Sequence, residues 1–233
     1  MIGNKPTVDI IFLSLGSTPE LREMQQNAID TARKGDPDVD FSILVIESDT
    51  SLWEQKYQYA GAVTLFAPAT ETFNYNKYMN IGRCHLNGKY VALCNNDLVF
   101  TDGWATNLMK ALEEGGFDSV APMCPLIHSS AVFNEGYLEG YEVNTGDRPL
   151  CGWCLFHRRT IYDTIGDLFE GVEFWYSDNA YSIQLQKHGL KHALVQSSKV
   201  YHLGSRTLNL HHPAQQQHLT YDQLRKFNSV RDI

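Results

Sequence analysis

Apolar positions in this chain come in short dense runs separated by amphipathic stretches. Val8-Asp9-Ile10-Ile11-Phe12-Leu13-Ser14 reads as a buried strand. Gly16-Ser17-Thr18-Pro19-Glu20 then reads as a helix start, with Ser17 as cap, Pro19 in the first turn and Glu20 three residues after the cap. Leu21, Met24, Ala28 and Ala32 mark one face of that helix. Phe41-Ser42-Ile43-Leu44-Val45-Ile46-Glu47 is a second strand, ending in an acid, and Val63-Thr64-Leu65-Phe66 a short third. Met79, Ile81 and Leu86 place a helix over residues 76–86, stopped by Gly88. Lys89-Tyr90-Val91-Ala92-Leu93-Cys94-Asn95-Asn96-Asp97 follows, an apolar run that ends at two amides and a carboxylate.

The pattern continues with a helix over 104–112, a strand at 119–121, and a stretch from 124 to 149 without clear period. Then come a strand at Leu155-Phe156, a helix from Arg159, a helix over 179–187 and a strand over 193–201. Thr220 with Gln223 boxes a final helix running to Val230. Strands alternating with helices predict an α/β fold, a mainly parallel central sheet flanked by helices in a single domain. Long irregular segments such as 124–149 are often binding loops or lids. No internal repeat, low-complexity run or linker interrupts the chain.

Bulk composition adds bounds. The 233 residues, 43% hydrophobic and 12% aromatic, suffice for a substantial core. No run of 18 apolar residues is present, so no membrane span is expected. The start, Met1-Ile2-Gly3-Asn4-Lys5-Pro6, lacks the features of a signal peptide. Five cysteines, an odd count in mostly apolar surroundings, read as reduced thiols in a cytoplasmic protein. The net charge of −8 is uneven: residues 185–233 hold seven Lys/Arg against two Asp/Glu, and six of the nine histidines. That basic end suits either an anionic partner or a plain solvated surface.

Four constellations bear on chemistry. A carboxylate at a strand's carboxyl end in an open α/β sheet, as at Asp97, is placed to hold a divalent metal, although Asn-Asn-Asp also closes a turn. Val200-Tyr201-His202-Leu203-Gly204-Ser205-Arg206 ends the last strand with a histidine on the same edge, and His plus Asp is an incomplete shell for Mn²⁺ that phosphate and water complete. Trp175-Tyr176-Ser177-Asp178 sets a carboxylate among aromatics at a helix start, as a cap or as a general base beside a sugar-stacking platform. Cys151-Gly152-Trp153-Cys154 has redox or zinc spacing but opens into an apolar strand rather than following one into a helix. No Gly-x-Gly-x-x-Gly follows any strand. Gly82 to Gly88-Lys89 fails as a phosphate loop in spacing, in Tyr90, and in preceding a strand.

Taken in order, these segments resemble family 2-type glycosyltransferases of the GT-A fold, a Rossmann-like domain. The resemblance is carried by Ile43-Leu44-Val45-Ile46-Glu47-Ser48-Asp49, by Asn80-Ile81-Gly82, and by Tyr90 to Asp97, which is similar to a DXD-type segment with Asn95 in place of the first acid. In the acceptor half it is carried by Gly152-Trp153-Cys154-Leu155-Phe156-His157-Arg158-Arg159, Ile165-Gly166-Asp167-Leu168-Phe169-Glu170, Ser177-Asp178, Gly189 and Val200-Tyr201-His202. It spans roughly residues 8–206, within a domain expected over 1–206 with a donor half over about 1–122 and an acceptor half over about 123–206. Residues 207–233 stand outside it as a basic, His-containing helical extension of the same domain.

The resemblance implies transfer of a sugar from a nucleoside diphosphate sugar, a UDP-sugar first, with inversion and with Mn²⁺ or Mg²⁺. It implies Asp97 and His202 as metal ligands and Asp178 as general base. It also implies Ser14, Glu47, Asn80, Asn95, Asn96 and Arg206 on the donor, and Trp153, Trp175 and Tyr176 on the acceptor. A glycan acceptor comes first, and hydroxylated bases in DNA second, since the basic C-terminal segment permits a polyanion. The competing classes are a non-catalytic sugar-nucleotide-binding protein and a nucleotidyltransferase. The latter requires a basic Gly-rich loop after the first strand, and Leu15-Gly16-Ser17-Thr18-Pro19-Glu20 has one Gly and no base.

Overall fold

The structure, a computed structural model, describes residues 5–67, 73–143, 147–204 and 213–230. The chain opens with β1 (Thr7–Ser14), buried along almost its whole length, as a continuous apolar run becomes when both sheet faces are covered. α1 (Pro19–Gly35) follows. Its cap is Thr18 rather than Ser17: the Thr18 hydroxyl accepts the Leu21 N–H, and Pro19 takes the first helical position directly after it. Next come β2 (Asp40–Glu47), a short α2 (Thr50–Glu54) and β3 (Val63–Phe66).

α3 (Tyr75–Cys84) begins one residue before the expected start, because Asn74 caps it through the Lys77 N–H, and ends at its C-cap His85, short of Leu86. Then come β4 (Tyr90–Asn95), β5 (Leu98–Phe100), α4 (Trp104–Glu114) and β6 (Ser119–Met123). The aperiodic stretch contains β7 (Tyr137–Glu139). β8 (Cys154–Arg158) runs through a 3-10 turn (Arg159–Ile161) into α5 (Tyr162–Ile165), and α6 (Ser177–Lys187), β9 (His192–His202) and α7 (Pro213–Val230) complete the chain. α7 starts well before Thr220, which therefore lies inside the helix and is not its cap.

Among the described residues the strands form one nine-stranded sheet in the order β3-β2-β1-β4-β8-β6-β9-β5, with β7 paired to β9 off this path. β1 is parallel to β2 and β4, β2 to β3, and β6 to β9, while β8 lies antiparallel between β4 and β6. β1, β2, β3, β4, β6 and β9 thus run one way, and β5, β7 and β8 against them. The sheet is mainly parallel, as its sequence pattern predicts. Side chains alternate between faces along each strand. Ile10 and Phe12 join α1 and α4 in one core with Trp104, and Ile11 and Leu13 join α3, α5 and α6 in the other with Met79 and Tyr181. α3 approaches closely at Gly82, where a Cβ would stand 2.7 Å from Ile11 Cγ2.

This topology decides where chemistry gathers. The carboxyl ends of the like-directed strands share one edge, where ligands bind in open α/β sheets. The reversed β8 begins there, since Cys154 pairs with Cys94, so the segment leading into β8 crosses that edge beside Asn95.

Candidate active site

β4 ends at Asn95, and the chain turns through Asn96 and Asp97 into β5. Leu98 pairs with His202 across the antiparallel β5–β9 ladder, and the Leu203 N–H donates to the Asp97 carbonyl at 2.9 Å. The turn and the end of β9 are thereby pinned together. The Asp97 carboxylate is buried. Its Oδ1 lies 3.2 Å from His202 Nε2, yet no donor is aligned on that oxygen. A buried carboxylate oxygen left without a donor costs more than about 1–3 kcal/mol, so this one needs a positive partner. Two ligands at about 2.1 Å from one ion, at right angles, stand about 3 Å apart. The pair fits adjacent positions of a divalent metal. Among the described residues no group of three His, Cys, Asp or Glu side chains converges.

His202 is oriented by Trp153. Their rings stack with centroids 5.5 Å apart and planes 14° from parallel. Trp153, expected on the acceptor, is 5% exposed, and one face of its ring lies against His202. The Trp153 carbonyl accepts the Asn95 N–H at 2.9 Å, tying the stack back to the end of β4. His128 leans on the same indole at 6.5 Å. His128 Nδ1 accepts the Cys124 N–H, so the ring is neutral with its proton on Nε2, 3.4 Å from Cys151 Sγ, and burial lowers its pKa. Cys124 Sγ in turn accepts the His202 N–H at 3.4 Å.

The Cys-x-x-Cys pair is therefore divided. Cys151 faces His128, and Cys154 faces Cys94 at 3.7 Å. Burial pushes the Cys151 and Cys94 thiols well up, which makes them poor nucleophiles.

Asp178 stands in the first turn of α6, where a helix N-terminus favours a carboxylate. It is half-buried and packs on Gly152: a Cβ at Gly152 would lie 2.7 Å from Asp178 Cβ and 2.8 Å from Oδ2. The Gly152 carbonyl is held by the Tyr75 hydroxyl at 3.1 Å. Burial raises the Asp178 pKa, opposed by the backbone N–H groups of Asn179, Asp178 and Gly152 and by the charge of Arg148. Asp97, His202, Trp153, Gly152 and Asp178 thus form one unbroken run of contacts and chain neighbours along the carboxyl edge.

The donor-side expectations are placed differently. Glu47 is fully buried. Oε1 accepts the N–H groups of Gly16 (2.9 Å) and Asp49 (2.8 Å), and Oε2 accepts the Tyr59 hydroxyl (2.8 Å). Ser14 Oγ joins the knot, 3.1 Å from the Tyr59 oxygen. Glu47 and Ser14 are thereby bonded to the loops that follow β1 and β2. Asn80 is likewise occupied. It donates to the Leu168 carbonyl (2.8 Å) and to Glu170 Oε1 (2.9 Å), and accepts the Leu168 N–H (2.9 Å). Asn76 and Asn74 donate to the carbonyls of Phe169 and Glu170, so three asparagines of the α3 region fasten the segment that leads to α6. Asparagine is a poor helix-interior residue, and two of them inside one short helix, Asn76 and Asn80, were the signal for this role.

On the acceptor side, Tyr176 stacks on Phe227 of α7 at 5.2 Å and 13°, while Trp175 is half-buried and edge-on to the exposed Phe174. Arg206 lies outside the described residues. Part of the basic C-terminal charge is spent internally, Lys226 pairing with Glu173 and Arg225 with Asp222. No helix among the described residues is long and apolar enough to cross a membrane.

No protein-family model matches the chain, and no curated protein matches its sequence. Solved structures share its fold. One is the crystal structure of GalNAc-T7 with UDP, GalNAc and Mn²⁺, at 12% identity and a TM-score of 0.61 over 84% of this chain. The chain spans 43% of that protein's length. The fold is of the GT-A type.

Proposed function

We propose that this protein is a metal-dependent glycosyltransferase that moves a sugar from a nucleoside diphosphate sugar to an acceptor hydroxyl, with inversion at the anomeric carbon. The observation that carries this reading is the Asp97–His202 pair: a buried carboxylate oxygen without a donor, 3.2 Å from an imidazole nitrogen, at the ligand-binding edge of the sheet. The fold it shares with a protein solved with UDP and Mn²⁺ supports a UDP-sugar as donor.

Asp97 and His202 would hold Mn²⁺ or Mg²⁺, and that ion, when bound, neutralises charge developing on the departing diphosphate. Trp153 keeps the His202 ring turned toward Asp97. Asn95 and Asn96, at the tip of β4, stand beside the pair as neutral polar groups for the diphosphate or ribose. Asp178 takes the proton from the acceptor hydroxyl as it attacks from the face opposite the leaving group. Burial raises its pKa, which makes it a stronger base than an ordinary carboxylate. Phe174 and Trp175 offer apolar ring faces beside it, suited to a sugar acceptor. The internal pairing of Lys226 and Arg225 weakens the case for a polyanionic acceptor such as DNA.

The test is to incubate the protein with Mn²⁺ and a panel of nucleoside diphosphate sugars and follow nucleoside diphosphate release. Release that disappears in Asp178→Asn while UDP still binds supports the reading. Metal-dependent binding without release from any donor would leave a sugar-nucleotide-binding protein instead.

A further inference from the structure

α7 lies outside the resemblance, and one of its side chains is unusually placed. Gln223 is 3% exposed, although Tyr221 on the same helix is 59% exposed. A buried amide needs partners, and Gln223 finds them all on one segment. Its Oε1 accepts the N–H groups of Glu173 (2.9 Å) and Phe174 (3.4 Å), and its Nε2 donates to Glu173 Oε2 (2.6 Å). Lys226 pairs with the other Glu173 oxygen, and Phe227 stacks on Tyr176. From the opposite side the Tyr75 N–H donates to the Glu173 carbonyl.

The clasped segment sets the start of α6. Tyr176, at its N-cap, holds a left-handed backbone (φ 68°) that a tyrosine rarely adopts, and no side chain caps the helix there. Such a conformation persists only where its surroundings impose it. Asp178 follows two residues later. We infer that Gln223 is a positioning residue for transfer: from α7 it fixes residues 173–176 and, through Tyr176, the placement of Asp178. This rests on the reading of Asp178 as general base. A displacement of 1 Å at a reacting group can lower a rate by about 10²-fold.

The experiment compares full-length Gln223→Leu, which keeps the helix and the bulk, with Arg225→Ala as a control on the same helix. Three quantities are measured: backbone hydrogen exchange, the Kd for UDP with Mn²⁺, and UDP release from UDP-sugars with water as acceptor. In Gln223→Leu, exchange over 173–180 should rise about tenfold while exchange over 90–100 stays unchanged. UDP affinity should hold, and release should fall by about ten- to a hundredfold. Arg225→Ala should match the parent. Unchanged exchange over 173–180, exchange rising throughout the chain, or full release despite loosened exchange would each overturn the inference. If the parent itself releases no UDP from any donor, the functional reading fails, and with it the role in transfer; the exchange data still decide whether Gln223 holds the segment.

Discussion

Trp153 and His202 lie face to face, centroids 5.5 Å apart and planes 14° from parallel, and this stack joins the end of β9 to the segment that leads into β8. The next residue toward the N-terminus, Gly152, touches Asp178. Two adjacent residues, Gly152 and Trp153, thus touch both Asp178 and His202.

On the proposed reading Trp153 supports His202 as a metal ligand, so its removal should register in metal affinity. Trp153→Leu is expected to weaken Mn²⁺-supported UDP binding by about 10–100-fold, as loss of supporting contacts to metal ligands does. Trp153→Phe, which keeps an aromatic face, should lose far less. Calorimetric titration of UDP with and without Mn²⁺ distinguishes the two.

The Gly152 contact makes a sharper prediction about the base. A methyl group there meets the Asp178 side chain at distances no real Cβ tolerates, so Gly152→Ala should cost about 1–3 kcal/mol of stability and displace Asp178. Asp178→Asn should reduce transfer by about 10²–10⁴-fold with UDP affinity retained. Since burial raises the Asp178 pKa, turnover should fall on acidification at a higher pH than an ordinary carboxylate would give. A pH–rate profile measures that limb.

Glu47 separates a shaping role from direct base recognition. Glu47→Ala leaves the Gly16, Asp49 and Tyr59 donors unmatched and should cost about 3 kcal/mol or more. Glu47→Gln preserves all three contacts if its amide turns to Tyr59, which then donates to Ser14, and should stay within about 1 kcal/mol of the parent. Thermal shifts with UDP, GDP and ADP test this. A changed nucleotide preference in Glu47→Gln would place the carboxylate on the base after all.

Two buried histidines contribute to the acid sensitivity of the fold. His157 and His192 are held neutral by burial, with pKa values pushed down to about 4 and about 3. The unfolded chain binds their protons first, below about pH 6.5, so stability is complete above that pH and lost as pH falls. Each contributes a slope of about 1.4 kcal/mol per pH unit, down to about pH 4 for His157 and about pH 3 for His192. Urea titrations from pH 7 to 4 should show this. His192→Gln, if it folds, should flatten the dependence.

The sheet was legible because strands covered on both faces leave continuous apolar runs, as in β1, β2 and β4. Element ends were less so. α7 was placed too short because Thr220 and Gln223 imitate a capping pair, whereas Gln223 is bonded to a segment fifty residues away. Asp97, His202 and Asp178 were readable as candidates because each stands where an apolar pattern stops. The roles of Glu47, Asn80 and Trp153 were not, since sequence shows a polar or aromatic residue near a strand end but not which neighbour claims it. Tyr59 and the loop at 168–170 claim Glu47 and Asn80 through contacts remote in sequence.

The paired placement of Asp97 and His202 is tested most directly by the Mn²⁺ dependence of UDP binding, measured by calorimetry in the parent, Asp97→Asn and His202→Ala. The parent should bind UDP at least about tenfold more tightly with Mn²⁺ than without, and both variants should lose that gain while remaining folded. Equal strengthening by Mn²⁺ in the parent and in either variant would contradict the assignment.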